Sequence, residues 1–174
     1  MTKVKPGRFT AQTDEPFVVF LLGFRVNRFF AFKKWIPVSK AMFPMVRNLS
    51  RRRRSNGFLG GYPFFYWRGL GMVQYWRSFD DLEKFARDKN GLHIDTWRQF
   101  NQTIGSDGSV GIWHETFLVE SGHHEGVYTN MPVFGLAAGT RHVPAVGHRE
   151  TARRRLGGEN EPALPSTPTP VSVS

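Results

Sequence analysis

Apolar residues alternate through residues 16–27, PFVVFLLGFRVN. Val18, Phe20, Leu22, Phe24 and Val26 fall on one face, which is wholly apolar. Phe17, Val19, Leu21, Gly23, Arg25 and Asn27 fall on the other, which turns polar at its end. A period of two in β-branched and aromatic residues, set between polar turns, marks a buried strand. One face is expected to cover helices, and the other to open onto a space that tolerates charge.

The period then changes. Phe32, Trp35, Ile36, Met42, Val46 and Leu49 predict a helix over 30–54. Pro37 and Pro44 should kink or divide it, and Gly57 is placed to stop it. FLGGYPFFYW (58–67) and GMVQYWR (71–77), joined by RGLG, read as a hairpin loosened by glycines and Pro63. Residues 78–100 return to helical spacing. Ser78 with Asp81 has the shape of a capping box, and Leu82, Phe85 and Ala86 form a stripe. Gly91 breaks the pattern, leaving 92–100 as a second helical piece. A polar loop leads to a strand over 110–120, and 125–136 supplies one more strand and an irregular stretch.

The order strand, helix, strand, strand, helix, strand is the α+β, ferredoxin-like βαββαβ arrangement: an antiparallel sheet with both helices on one side. Left bare, the second face of so aromatic a sheet would form a large apolar patch. The economical solution is a second copy, the two sheets closing into a dimeric α/β barrel around a cavity. This domain is expected over 16–147. Residues 1–15 read as a loose N-terminal lead-in. Residues 148–174, rich in Pro, Ser, Thr and charge without a hydrophobic period, read as a disordered tail.

Composition narrows the chemistry. Sixteen Phe and five Trp favour a core or cavity lined by rings. The absence of cysteine excludes disulfides, thiolate metal sites and a cysteine nucleophile. The net charge is +10, but Arg47 with Arg51–Arg54 and Arg153–Arg155 carry eight of the arginines in two clusters. The remainder is nearly balanced, so no nucleic-acid grip is expected. Arg51–Arg54 read as a solvated helix end suited to the macrodipole, or as a weak contact to an anionic surface. The apolar run 17–24 is far short of the ~20 residues of a membrane helix. No apolar leader follows Met1. The expectation is a cytoplasmic protein without a transmembrane segment.

No HExxH, GxSxG, GxGxxG or P-loop pattern occurs, so metal hydrolase, serine hydrolase, nicotinamide-dependent and kinase chemistry lack support. The stretch GIWHETFLVE (111–120) sets His114 beside Glu115 in a strand, where neighbours point to opposite faces. They are therefore not a dyad. His114 reads as a cavity base, a substrate hydrogen-bond partner, an axial haem ligand or a satisfied structural histidine. Glu115 reads as an ion-pair partner, with Arg25 its candidate mate. His93 and Trp97 share a helix face at i, i+4, which lines a cavity mouth or packs on the sheet. Tyr128 and Asn130 lie on one face of the last strand and could offer a hydroxyl and an amide to a ligand. His123 and His124 read as a solvated turn.

The blocks PFVVFLLGFRVNRF, VQYWRSFDDLEKFAR, HIDTWRQF, VGIWHETFLV and EGVYTNMPVFGLA, in this order over about residues 8–147, resemble the fumagillin-pathway monooxygenase-like family. That family is assigned to the dimeric α/β-barrel superfamily with the antibiotic-biosynthesis monooxygenases. The resemblance implies the barrel fold, a homodimer, and an oxidoreductase acting on an aromatic or polyketide-like small molecule without flavin or metal. Related cofactor-free monooxygenases hold a phenolic or anthrone substrate with an Asn and a Trp, which implies Asn27 and Trp76 here. His114 and Asn27 would favour an enolate or phenolate whose electrons reduce dioxygen directly, with Arg25, His93, Trp97, Tyr128 and Asn130 as further substrate contacts. Two alternatives stay open: a haem-binding, dehydratase-like barrel, and a non-catalytic small-molecule binding or stress protein on the same fold.

Overall fold

A computed structural model of the chain describes residues 3–40, 56–88, 102 and 105–159. Its elements in order are β1 (Lys5–Gln12), β2 (Phe17–Val26), helix α1 over residues 32–40, β3 (Phe58–Tyr66), β4 (Gly69–Trp76), α2 (Phe79–Arg87), β5 (Val110–Val119), β6 (Tyr128–Met131), β7 (Arg141–Pro144) and a short helix α3 (Ala152–Arg155). Single-turn 3-10 segments lie at Gly135–Ala138 and Gly147–Arg149. The chain forms two compact units, residues 17–118 and residues 1–16 with 119–174.

The unit of residues 17–118 is ferredoxin-like. Its four strands lie in the order β3-β4-β2-β5. β2 pairs antiparallel with β4, matching Val18 to Trp76, Leu22 to Met72 and Phe24 to Leu70. Directly paired residues share a face, so the even positions of β2 and β4 build one apolar surface. Val18, Phe24, Val26, Leu70, Met72 and Trp76 are buried there against Val38 of α1 and Leu82 of α2. The alternation that defined β2 in the sequence therefore points its apolar face at the helices.

Helix α2 starts where its capping residues place it. The Ser78 hydroxyl accepts from the Asp81 N–H at 3.1 Å, satisfying one orphan donor of the first turn. The Asp81 carboxylate does not complete the capping box; it takes the Arg77 Nε at 2.8 Å instead. That guanidinium, the largest influence, holds the Asp81 carboxyl below its ordinary range. Pro37 does not divide α1 within the described residues: 32–40 stay helical around it. The hairpin turn is tighter than RGLG suggests. β3 runs to Tyr66 and β4 begins at Gly69, leaving Trp67 and Arg68 as the turn. Arg68 there has φ 66°, a left-handed conformation unusual for a residue with a Cβ.

The opposite face of this sheet carries Tyr62, Phe64 and Tyr66 of β3, in register with Val73, Gly71 and Gly69 of β4. The Phe64 ring lies over Gly71, where a Cβ would come within 2.5 Å of it. Two aromatic side chains from the sheet's two outer strands meet on this face: the Trp113 Nε1–H donates to the Tyr66 hydroxyl, which donates to the Phe24 carbonyl at 3.1 Å.

The second unit departs from the sequence reading. Residues 5–12 are not a loose lead-in; β1 is the central strand of the sheet β6-β1-β7. Phe9 pairs with both Tyr128 and Pro144, and Ala11 pairs with His142. A bulge between Lys5 and Arg8 spoils the local alternation, and the Gly7 N–H is met at 3.0 Å by Asn130 Oδ1, 123 residues away in sequence. Its pairing is thus entirely long-range. His124 is not a solvated turn residue: burial pushes its imidazole below the ordinary range. The onset of the tail is also ordered. Thr151 caps α3 by accepting from the Arg154 N–H at 3.2 Å. The Arg155 guanidinium is buried, paired with Glu125 and donating to the carbonyls of Arg149 and Glu150 at 2.7 and 2.9 Å. Residues 160–174, the bulk of the expected disordered tail, lie outside the described residues.

Candidate substrate pocket

The unit of residues 17–118 holds a pocket of about 320 Å³ on the helix-facing side of its sheet. Phe24 and Val26 enter it from the apolar face of β2, and Leu70 from β4 as the cross-strand partner of Phe24. Trp35 and Ser39, at i, i+4 on α1, form the opposing wall. Phe29, Phe65 and Arg68 complete it from the β2–α1 loop and the end of the β3–β4 hairpin.

The polar atoms of these walls are spent on the scaffold. The Trp35 indole N–H donates to the Phe29 carbonyl at 2.9 Å, fixing the loop against the helix. The Ser39 hydroxyl donates to the Trp35 carbonyl at 2.9 Å. Carbon therefore faces the space, and Arg68 is the charged residue at it. Such a surface suits a planar apolar molecule with one anionic or strongly accepting oxygen. Lys34 ties α1 to the turn before β5 through Asp107 at 2.6 Å. Lys34 foremost, then Ser109, hold the Asp107 carboxyl well below the usual carboxylate range.

Alternation in β2 points to the polar-ended face as the cavity side; the pocket of the single chain lies on the other. Arg25 and Asn27 occupy the polar end, bonded to each other, with the Asn27 amide donating to the Gly108 carbonyl at 3.0 Å. The Arg25 guanidinium lies 3.9 Å above the Trp67 ring, a cation–π contact. Among the described residues Arg25 makes no ion pair with Glu115; its neighbours are Asn27 and Trp67. Arg68 reaches the Asn27 carbonyl at 3.5 Å, so Asn27 is linked to the pocket only through the backbone it offers.

Trp76 is not at the pocket. It is fully buried between Phe58 and Phe85, with its Nε1–H donating to Gln74 Oε1 at 2.9 Å. It pairs with Val18 at one end of β2, while Asn27 follows the other end. The two are thus separated by the length of the strand and are not brought together. His114 is exposed, its ring 5.7 Å from Phe20, which places it on the helix-facing side of the sheet but outside the pocket lining. Tyr128 and Asn130 belong to the other unit. Tyr128 packs near His142, and Asn130, at φ 53°, serves the bulge of β1. His93, Trp97 and Arg51–Arg54 lie outside the described residues.

Sequence reading missed Phe29, Trp35, Ser39, Phe65 and Arg68. Trp35 and Ser39 carry a readable signal, their helical spacing. Arg68 carries none until the turn is known to be two residues long. Among the described residues no group of three His, Asp or Glu side chains could hold a metal ion, and no helix is long and apolar enough to cross a membrane.

An aldoxime dehydratase superposes on 83% of this chain and 45% of its own with a TM-score of 0.63 at 15% identity. Aldoxime dehydratase OxdRE, solved with butyraldoxime, does so over 80% and 43% with a TM-score of 0.60 at 14% identity. These likenesses are of fold. Monooxygenase af470 of Aspergillus fumigatus is 31% identical over 140 residues, 72% of this chain and 48% of that protein. The chain thus spans about half the length of the relatives it matches. Residues 17–136, which include both walls of the pocket, match the Monooxygenase af470-like family, and the chain belongs to that family.

Proposed function

We propose that this chain is an oxidoreductase of monooxygenase type, acting on an aromatic or polyketide-like small molecule without a dedicated cofactor, as a homodimer. The observation that carries the reading is the ring-lined pocket with Arg68 as its charged group, in a member of a monooxygenase family. An anthrone-like substrate is planar and apolar, and becomes an enolate on losing one proton. Arg68 is the group to hold that oxyanion, and low polarity around it strengthens the attraction. His114 is the candidate base on the same side of the sheet, and Asn27 positions Arg68 through its carbonyl. The substrate supplies the electrons: its methylene becomes a carbonyl, one oxygen atom of dioxygen enters it, and the other leaves as water. A second copy would cover the aromatic face of Tyr62, Phe64, Tyr66 and Trp113.

Oxygen uptake by metal-stripped protein, given anthrones and phenols, tests this. Uptake should persist without added metal and fall at least about tenfold in Arg68→Gln; His114→Ala tests the base. Uptake that requires an added metal or haem overturns the cofactor-free reading.

The haem alternative takes support from the fold likeness to aldoxime dehydratases. Among the described residues no histidine lines the pocket, so a haem seated there would lack an imidazole axial ligand. A Soret band in protein purified with adequate haem supply, lost in His114→Ala, would favour that reading. Tight ligand binding without turnover would favour the non-catalytic one.

A further inference from the structure

The β2–α1 loop and the hairpin end, which give Phe29, Phe65 and Arg68 to the pocket, carry large apolar side chains turned to solvent. Phe65 is 88% and Trp67 72% exposed at the hairpin end, and Phe30 is 86% exposed in the loop, with Phe29 and Phe32 packed against it. The rings of the β2–α1 loop are already clustered: Phe29 contacts Phe30, Phe32 and Trp35 at centroid separations of 5.9, 5.6 and 6.0 Å. The pocket joins this loop to the hairpin end, because Phe29, Phe65 and Arg68 line one space. A contiguous exposed patch of this kind marks an interaction surface.

The cations around it say what kind. Arg28, Lys33 and Arg68 are exposed within or beside the aromatic run, while Lys34 is neutralised by Asp107. Rings interleaved with basic residues are the composition of a segment that inserts at an anionic lipid interface: the rings enter the headgroup boundary and the cations meet the phosphates. A symmetric contact with a second copy through this patch would gather Arg28, Lys33 and Arg68 of both copies, six cations, in one interface. The turn supports the same direction. Arg68 is held left-handed at φ 66°, where glycine would be unstrained, so the turn bears a local cost while keeping a cation at the pocket.

We propose that the β2–α1 loop and the Trp67–Arg68 turn form a docking surface for an anionic membrane, seating the pocket mouth at the lipid interface. The inference concerns where the molecule sits and holds whatever the chain converts.

The test uses the full chain with vesicles of phosphatidylcholine alone or mixed with phosphatidylserine. Co-sedimentation should appear with the mixed vesicles, weaken as salt rises, and be nearly absent with phosphatidylcholine alone. Brominated lipid should quench the tryptophan emission, and Trp67→Phe should remove most of that quenching. Phe30→Ser with Phe65→Ser should lower vesicle binding at least tenfold while leaving the circular dichroism spectrum unchanged, since both rings already face solvent. Arg28→Gln, Lys33→Gln and Arg68→Gly should each lower it about fivefold, and Arg68→Gly should not destabilise the fold. Three results would overturn the proposal: no binding to mixed vesicles at low salt, binding unchanged in the double Phe variant, or a double Phe variant that only converts an oligomer to a monomer.

Discussion

A Cβ on Gly69 would lie 1.9 Å from the carbonyl oxygen of Phe24. Both residues line the pocket, and the same carbonyl accepts the Tyr66 hydroxyl. Gly69 thus lets β4 begin hard against β2 immediately after a two-residue turn. The obstacle is backbone, which cannot swing aside. Gly69→Ala should cost about 2–3 kcal/mol, within the range for forced overpacking. Urea unfolding of the two proteins measures it, and a loss under about 0.5 kcal/mol, the scale of an ordinary surface change, would show that the strands part easily.

Trp76 should behave as core rather than as a substrate contact. Trp76→Ala removes a fully buried ring and should destabilise by about 3–5 kcal/mol. Trp76→Phe keeps most of the volume but strands the buried Gln74 amide oxygen, costing about 1–3 kcal/mol. At temperatures where Trp76→Phe is folded, its affinity for pocket ligands should equal that of the parent. A ligand affinity lowered tenfold in folded protein would return Trp76 to the site.

Asp107 links acid sensitivity to the anchoring of α1. Lys34 and Ser109 depress its carboxyl in the folded chain, so its contribution is present above the unfolded value near about 4 and is lost as pH falls through the folded one. Asp107→Asn should weaken the protein at neutral pH and flatten the decline of stability below about pH 4. Stability curves of both proteins from neutral to acid pH check this. Parallel curves would mean that the carboxylate is equally free in the unfolded chain.

Arg155 closes the second unit. Its guanidinium is buried with Glu125 and two backbone carbonyls, so Arg155→Ala leaves three acceptors short of a donor. The Glu125 side chain keeps some solvent, which tempers the loss to about 1–3 kcal/mol. Hydrogen exchange should quicken at residues 147–157 in the variant.

The strands and α2 of residues 17–118 were legible because each carries its own period: alternation in β2, and a Ser78 cap with a Leu82, Phe85 stripe in α2. β1 was not, because a bulge at Gly7 masks its alternation and its partners come from the far end of the chain. The pocket was legible as chemistry but not as place. The ring-rich composition announced an aromatic lining, yet the polar end of β2 drew attention to Arg25 and Asn27, which bond to each other and to the Gly108 carbonyl. Arg68 escaped notice because its role depends on a turn type that local sequence does not fix. Trp76 attracted attention through family resemblance, and its burial reflects pairing with Val18.

The two rims of the four-stranded sheet are unequal. β3 carries Pro63, which has no N–H, and an irregular register between Phe58 and Gly60, so a foreign strand laid along it would find a broken row of donors. β5 runs ten residues from Val110 to Val119 without a proline. A strand added to this sheet, whether in assembly or in aggregation, would therefore find the less interrupted row of backbone donors along β5, and a proline placed there would be the economical guard against it.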